Sequence, residues 1–229
     1  MRLALVAVFV LLPISAFAQA TWTSGQCGAG ITLSNGNKTA THVTGSSAWR
    51  SCYATTSHTT GKYYFEISVD SESSSLGWIA GIMNASGPTT NYSGSDTNSI
   101  GIQRTGGGAA DKYYNGAQTT GISQCTLATQ AGAHVGFAID IGNKLWCTKD
   151  GTNWYTGGSD SPVTPSGGGA ISGITGAVFP SISLFGGSGA NDVGTLFTQS
   201  GGFSFSIPSG YAAWDVTAVT SGSGWTIMK

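Results

Sequence analysis

The stretch GAHVGFAIDIGNKLWCTKDGTNWYTGG, residues 132–158, decides the fold class. Apolar and polar residues alternate on both sides of Gly142-Asn143. Alternation with a period of two is the pattern of a β-strand, and Gly and Asn supply the positive φ angles that a two-residue turn requires. The stretch therefore predicts a β-hairpin, with Gly151 in the left-handed position of a second tight turn.

The rest of the chain repeats this pattern. Short β-rich runs alternate with clusters of Gly, Ser, Asn and Thr, and helical periodicity is almost absent. The Gly- and Pro-rich residues 157–176 predict a long surface loop. In the run 62–69, alternation assigns one face to the core and the other to the opposite side of the sheet; the two sets are Tyr63, Phe65, Ile67 and Val69, and Tyr64, Glu66 and Ser68.

The first residues, MRLALVAVFVLLPISAFAQA, have the pattern of a secretory signal peptide. Arg2 precedes a short apolar run, and Ala16-Phe17-Ala18 gives the small-x-small cleavage pattern. We expect residues 1–18 to be the signal peptide, with cleavage after Ala18 or Ala20; an uncleaved anchor is the alternative. The mature chain, 21–229, is predicted to be one all-β domain that is secreted or periplasmic, without membrane insertion after cleavage.

The composition of the chain limits the classes of ligand that it is expected to bind. Without Met1 and Arg2 the chain keeps 8 basic against 10 acidic residues, and only 8% of the whole chain is charged. This charge balance does not favour binding to nucleic acid or to an anionic membrane. The four cysteines predict two disulfides, and closure of short loops favours Cys27–Cys52 and Cys125–Cys147 among three possible pairings. No metal site or cofactor is predicted, since the three histidines are scattered and no CxxC occurs.

Five stretches in a particular order resemble a known family. They are GKYYFEISVD, GWIAGIMN, SIGIQRTGGGAADKYYNG, HVGFAIDIGNKLWCTKDG and AVFPSISLFGGSGAND. Their elements Gly61–Glu66, Gly81, Tyr113–Gly116 and Gly136–Gly151 are similar to the successive motifs of SPRY domains. The resemblance covers roughly residues 30–215.

The resemblance implies a bent antiparallel β-sandwich of the concanavalin A-like type. Members of the family mostly bind proteins or peptides through loops at one end of the sandwich and are not enzymes. By resemblance, residues 104–116 and 150–158 are edge loops used for recognition, and Glu66 makes a structural hydrogen bond.

Amphipathic side chains supply the candidate binding residues, because Trp, Tyr and Arg contribute most to protein interfaces. The chain places Trp49, Arg50, Tyr53, Tyr92, Arg104, Tyr113, Tyr114, Trp154 and Tyr155 at strand ends or turns. The predicted ligand-binding residues are Arg50, Arg104, Tyr113, Tyr114, Asn115, Trp154 and Tyr155. Sheet packing is the interpretation for Tyr63, Trp146 and Trp214.

The sequence contains few of the residue patterns that enzymes use for catalysis. Asp70 and Glu72 share a strand face at a spacing that two glycosidase carboxylates could use, but a solvated strand end is the simpler interpretation. No serine elbow or phosphate-binding glycine loop has its required context. The first hypothesis is an exported, non-catalytic module that binds a protein or surface ligand. The alternatives are a lectin-like carbohydrate-binding domain and, less well supported, a carbohydrate-active enzyme.

Overall fold

The computed structural model describes residues 19–43, 45–72, 77–103, 109–126 and 132–215. The predicted signal peptide, residues 1–18, lies outside this range. One sheet, called sheet A, has seven strands. In spatial order they are β1 (Trp22–Cys27), β4 (Arg50–Ala54), β13 (Val178–Leu184), β6 (Trp78–Asn84), β7 (Ser99–Gln103), β8 (Ala110–Tyr114) and β9 (Ala117–Ile122).

The second sheet, sheet B, contains the hairpin predicted within residues 132–158. Its spatial order is β12 (Gly169–Ala170), β11 (Lys144–Thr148), β10 (Ala133–Asp140), β5 (Lys62–Ser71), β14 (Asp192–Phe197), β3 (Thr39–His42) and β2 (Ile31–Ser34). The short β15 (Ala212–Ala213) pairs in parallel with β5, and all the other described pairings are antiparallel. The described helical segments are two 3₁₀ turns, Ser123–Cys125 and Ser200–Gly202.

The core lies between the two sheets. Ile182 of sheet A faces sheet B, because a Cβ added to Gly194 of β14 would lie 2.4 Å from its Cδ1 atom. The buried side chains of the core include Trp78, Ile82, Ile100 and Ile102 from sheet A and Phe65, Ile67, Phe137 and Ile139 from sheet B. The prediction of an all-β antiparallel sandwich is therefore confirmed. Among the described helices, none is long and apolar enough to span a bilayer.

The second face of β5 is also buried, which alternation alone does not reveal. Tyr64 and Glu66 are 0% exposed although they point away from Phe65. The segment after β14 covers them: the Phe203 ring packs edge-on against Tyr64 at 5.0 Å, and the backbone N–H groups of Ser204 and Phe205 donate to the Glu66 carboxylate. The middle of β5 is thus buried on both faces, and two of the hydrogen bonds to its buried Glu66 come from the segment after β14.

Two predicted loops differ in detail. The β10–β11 connection has three residues, since Asp140 pairs with Lys144, and only Gly142 in it has positive φ, 83°. The prediction of a two-residue Gly-Asn turn is wrong, because the Asn143 N–H instead donates to the Asp140 carbonyl and closes a wider turn. Gly151 has the predicted left-handed φ, 73°. Residues 157–176 form a long loop, but it includes β12 and buries Ile171 and Ile174 in the core.

Both favoured disulfides are present. Cys27–Cys52 joins the neighbouring strands β1 and β4 with a Cα–Cα distance of 4.1 Å. Cys125–Cys147 ties the 3₁₀ turn after β9 to β11 with a Cα–Cα distance of 5.4 Å. The second bridge connects an edge of sheet A to sheet B, so it restrains the two layers against each other.

The first and last described segments meet. The N–H group of Ala20 donates to the Asp215 carboxylate at 2.7 Å, and Ala20 is 0% exposed. Trp214 fills the adjoining end of the core, where its ring packs against Phe65 at 5.5 Å and its indole N–H donates to the Thr56 carbonyl. This end of the sandwich lies at the C-terminal end of β4, because Trp22 pairs with Ala54 there.

Candidate functional site

The opposite end of the sandwich holds a cluster of aromatic rings. β4 begins and β13 ends there, since Arg50 pairs with Leu184. Trp49 packs edge-on against Phe185 at 5.2 Å and against Tyr92 at 5.9 Å. Tyr92 in turn packs against Tyr113 of β8 at 5.4 Å. We call Trp49, Tyr92, Tyr113 and Phe185 the Trp49 cluster; all four side chains are partly exposed.

The cluster is held in place by a loop that crosses the outer face of sheet A. Ser93 of this loop is 0% exposed; its N–H donates to the Ser183 hydroxyl at 2.8 Å and its hydroxyl lies 3.0 Å from that of Ser181. The Ser51 hydroxyl donates to the carbonyl of Asn91. A Cβ at Gly101 would lie 2.3 Å from the Ser93 carbonyl oxygen, so glycine permits this close approach. The cluster is therefore preformed rather than assembled from mobile loops.

Arg50 lies beside the cluster, where sequence reasoning predicted a binding residue. Its guanidinium donates to the carbonyls of Trp49, at 2.7 Å, and Thr90, at 3.5 Å. Carbonyl partners leave the positive charge uncompensated by a carboxylate at these contacts. The Thr90 contact connects the start of β4 to the same loop that carries Tyr92.

Tyr113 is a predicted ligand-binding residue that belongs to the cluster itself. Burial, the nearby Asp111 carboxylate and Tyr92 together raise the pKa of its hydroxyl, with burial the largest cause. The phenol therefore stays protonated at neutral pH and can donate a hydrogen bond. Its ring lies on the outer face of sheet A, in the same cross-strand row as Tyr53.

Tyr114 and Asn115 are not part of the cluster. Tyr114 follows Tyr113 on β8 and therefore points to the opposite face, where it packs against the core and its hydroxyl meets the backbone at Gly173. Asn115 and Gly116 form a two-residue turn with φ of 51° and 73°, at the end of β8 away from its start at Ala110. The predicted recognition loop 104–116 is thus partly a strand, whose residues face in two directions.

Trp154 and Tyr155 are core residues, each 6% exposed, so the structure does not present their rings to a ligand. Trp154 packs edge-on against Tyr64, and the Tyr155 backbone bonds Cys147 and Gln124. Burial, with a smaller effect of Asp160, raises the pKa of Tyr155 to about 12. The tight turn at 150–153 directs Trp154 and Tyr155 toward the core. The Asp150 carboxylate closes this turn by accepting hydrogen bonds from the N–H groups of Thr152 and Asn153.

The remaining residues singled out in the sequence lie outside the Trp49 cluster. Arg104 lies outside the described residues. Trp146 and Trp214 are buried, as the sheet-packing interpretation predicted, and Tyr63 is partly buried with its ring stacked on His58 at 3.7 Å. Glu66 makes the structural hydrogen bonds that the family resemblance implied. Phe185 was missed, because its run, AVFPSISLF, reads as an ordinary buried strand.

The carboxylate of Asp70 and the imidazole of His42, two groups that could take part in catalysis, make hydrogen bonds within the fold. The Asp70 oxygens accept hydroxyl protons from Ser68, at 2.6 Å, and Thr195. The buried His42 has its Nδ1 atom 3.1 Å from the Leu184 carbonyl and its Nε2 atom 3.0 Å from the Ser46 hydroxyl. Within the described residues, no group of three or more His, Cys, Asp or Glu side chains is arranged to hold a metal ion.

Solved structures define the class of fold. The TRIM65 PSpry domain is similar with a TM-score of 0.56 at 15% identity, covering 80% of this chain and 93% of that one. The SPRY domain of human HERC1 gives a TM-score of 0.53 at 16% identity, covering 77% and 96%. Stonustoxin gives 0.56 at 16% identity, covering 78% of this chain but 28% of the toxin chain.

The chain therefore carries a SPRY-like domain, as the motif order predicted. No protein-family model matches the sequence, and no curated protein is similar to it at the sequence level. At 15% to 16% identity the likeness defines the fold, so functional residues have to be argued from this chain's own surface.

Proposed function

We propose that this chain is an exported, non-catalytic binding module that recognises a protein partner through the Trp49 cluster and Arg50. The observation that carries the proposal is the cluster itself: partly exposed aromatic rings beside an arginine whose hydrogen bonds to described residues go to backbone carbonyls. Aromatic and arginine side chains are the residues whose loss most weakens protein complexes. The rigid serine-bonded loop beneath them lowers the entropy cost of binding.

Ring orientation favours a protein over a glycan. A sugar stacks on the flat face of an exposed aromatic ring. Here the three ring pairs of the cluster are inclined at 61° to 76°, so in each pair the edge of one ring meets the face of the other. An uneven surface of ring edges, phenol hydroxyls and a guanidinium suits the mixed contacts of a polypeptide.

Export is part of the proposal. Two disulfides are typical of an oxidising compartment, and residues 1–18 have the signal-peptide pattern. Of the two predicted cleavage positions, we propose Ala18, since Ala20 is buried and bonded to Asp215 and belongs to the folded domain. N-terminal sequencing of the secreted protein tests this: a chain beginning at Thr21 would contradict it.

The binding proposal is tested with peptides selected from a phage-displayed library against the immobilised mature domain. Selected peptides are then titrated by fluorescence anisotropy against the wild type and variants. Trp49→Ala should weaken binding about 30-fold, equivalent to about 2 kcal/mol, because a central aromatic anchor is removed. Tyr113→Ala should weaken it in the same direction.

The matched control is Tyr53→Ala. Tyr53 is a partly exposed aromatic residue of the same sheet face, paired with Phe179 at 5.0 Å, and lies outside the cluster. Peptides weakened equally by Tyr53→Ala and Trp49→Ala would contradict the proposal. Glycan binding that Trp49→Ala abolishes would instead favour the lectin-like alternative. Polysaccharide hydrolysis lost in Asp70→Asn would favour the enzyme.

A further inference from the structure

The strand β9 is an unusually open edge. It ends sheet A, and in the described part of the chain β8 is its one neighbour. The five residues from Ala117 to Gly121 are all exposed, so both faces of the strand are uncovered. At the edge of sheet B, by contrast, β2 alternates between partly buried and exposed residues because Ile31 and Leu33 pack against the core.

The chemistry of this edge does little to prevent pairing. Proteins protect edge strands with lysine, proline, bulges or covering segments. The β9 sequence AQTTGI has neither charge nor proline and contains β-branched residues. Its one protection is a bulge, where the register shifts between the pairs Lys112–Thr119 and Ala110–Ile122.

The direction of the free backbone groups follows from the turn. Asn115 and Gly116 both have positive φ, so they form a two-residue hairpin turn in which Tyr114 and Ala117 make a hydrogen-bonded pair. Hydrogen-bonding direction alternates along a strand, so the N–H and C=O groups of Gln118 point away from β8. Those of Thr120 point the same way, because the left-handed residue of the bulge is Gly121, with φ of 92°, and lies after Thr120.

We propose that β9 pairs with β9 of a second copy of this chain, antiparallel and about a two-fold axis at Thr119. In this register Gln118 lies opposite Thr120 of the second copy, and the two pairs related by the axis form four backbone hydrogen bonds. The occupant is a second copy because the edge is self-complementary: uncharged residues meet uncharged residues. The two Lys112 residues, which pair with Thr119 in each copy, are on strands about 14 Å apart, three strand spacings away.

The pairing joins the two copies of sheet A into one continuous sheet. It is a weak association, because a few backbone hydrogen bonds of about 1 kcal/mol each have to offset the entropy lost on association. Isologous contact of this kind closes after two copies, so it produces a dimer and not a fibre.

Disulfide trapping tests the register. Thr119→Cys places two thiols directly opposite each other, at a Cα–Cα distance of about 5 Å, which a disulfide spans. The native cysteines are all paired, so the new thiol is the one available for cross-linking. On mild oxidation of the mature chain, disulfide dimer should form about tenfold faster than for Thr32→Cys, the control on the exposed part of the β2 edge.

Two further variants distinguish this register from chance collision. Gln118→Cys should cross-link as slowly as Thr32→Cys, because two copies of residue 118 lie about 8 Å apart in the proposed register, beyond disulfide reach. Adding Thr120→Pro to Thr119→Cys should reduce the rate to the control level, since it removes an N–H donor. Equal rates for Thr119→Cys and Thr32→Cys overturn the proposal. So does a Thr119→Cys rate unaffected by Thr120→Pro.

Discussion

The buried carboxylate of Glu66 offers the sharpest test of how the domain is held together. Glu66 is 0% exposed and accepts four hydrogen bonds, from the Tyr64 hydroxyl at 2.8 Å, His134 Nδ1 at 2.7 Å, and the N–H groups of Ser204 at 2.8 Å and Phe205 at 2.9 Å. Glu66→Ala leaves these four groups without the buried carboxylate that they share. Breaking such a buried network by removing one member costs about 3–5 kcal/mol.

The assay is urea unfolding followed by tryptophan fluorescence. Glu66→Ala should lower the free energy of unfolding by about 4 kcal/mol and the Tm by about 10 °C for a domain of this size. Glu66→Gln keeps one acceptor oxygen and should lose about half as much. Asp140→Asn is the control: it removes the partly exposed 3.7 Å contact with Lys62, and such exposed pairs contribute at most about 1 kcal/mol.

Hydrogen exchange adds a local readout. In Glu66→Gln the amide protons of Ser204 and Phe205 should exchange faster, while that of Ile182, in the sheet A strand β13, should keep its protection. A loss below about 1 kcal/mol for Glu66→Ala, or unchanged exchange at both amides, would refute the argument that this carboxylate fastens the C-terminal segment to β5.

Two other predictions concern acid and reduction. Burial is the main cause that lowers the pKa of both His42 and His58, so the unfolded chain takes up their protons first as pH falls. Stability should therefore be complete above about pH 6.5 and decline below it, by up to about 1.4 kcal/mol per pH unit for each histidine; unfolding free energies that stay constant from pH 6.5 to 5 would contradict this. Reducing Cys27–Cys52 and Cys125–Cys147, which span 25 and 22 residues, should lower the unfolding free energy by about 2–4 kcal/mol each while the β-type circular dichroism spectrum persists. Loss of that spectrum on reduction at room temperature would show that the bridges create the fold.

The sequence was sufficient for the architecture because strand alternation is a local signal. The faces of 62–69 and 134–141 follow from a period of two, and the disulfides follow from short loop closure. Burial of Tyr64 and Glu66 is not local: it depends on Phe203, Ser204 and Phe205, about 140 residues further along. No pattern within β5 carries that information.

The candidate site was partly predictable for the same reason. Arg50 and Tyr113 were predicted individually from side-chain type, and the structure brings them near one cluster. Trp49 and Tyr92 belonged to the wider amphipathic set, but their contact depends on the loop that folds back over sheet A. Trp154 and Tyr155 have the same side-chain chemistry as exposed anchors, and side-chain type alone does not reveal that the Asp150 turn directs them inward.

The hydrogen bond between Ala20 and Asp215 has a practical consequence for anyone who attaches something to this molecule. Ala20 and Asp215 lie at one spot, and β4 separates that spot from Trp49 by its full length of about 17 Å. A tether or a tag attached directly at Ala20 or Asp215 thus holds the module at the end away from the Trp49 cluster, so that the aromatic rings face outward.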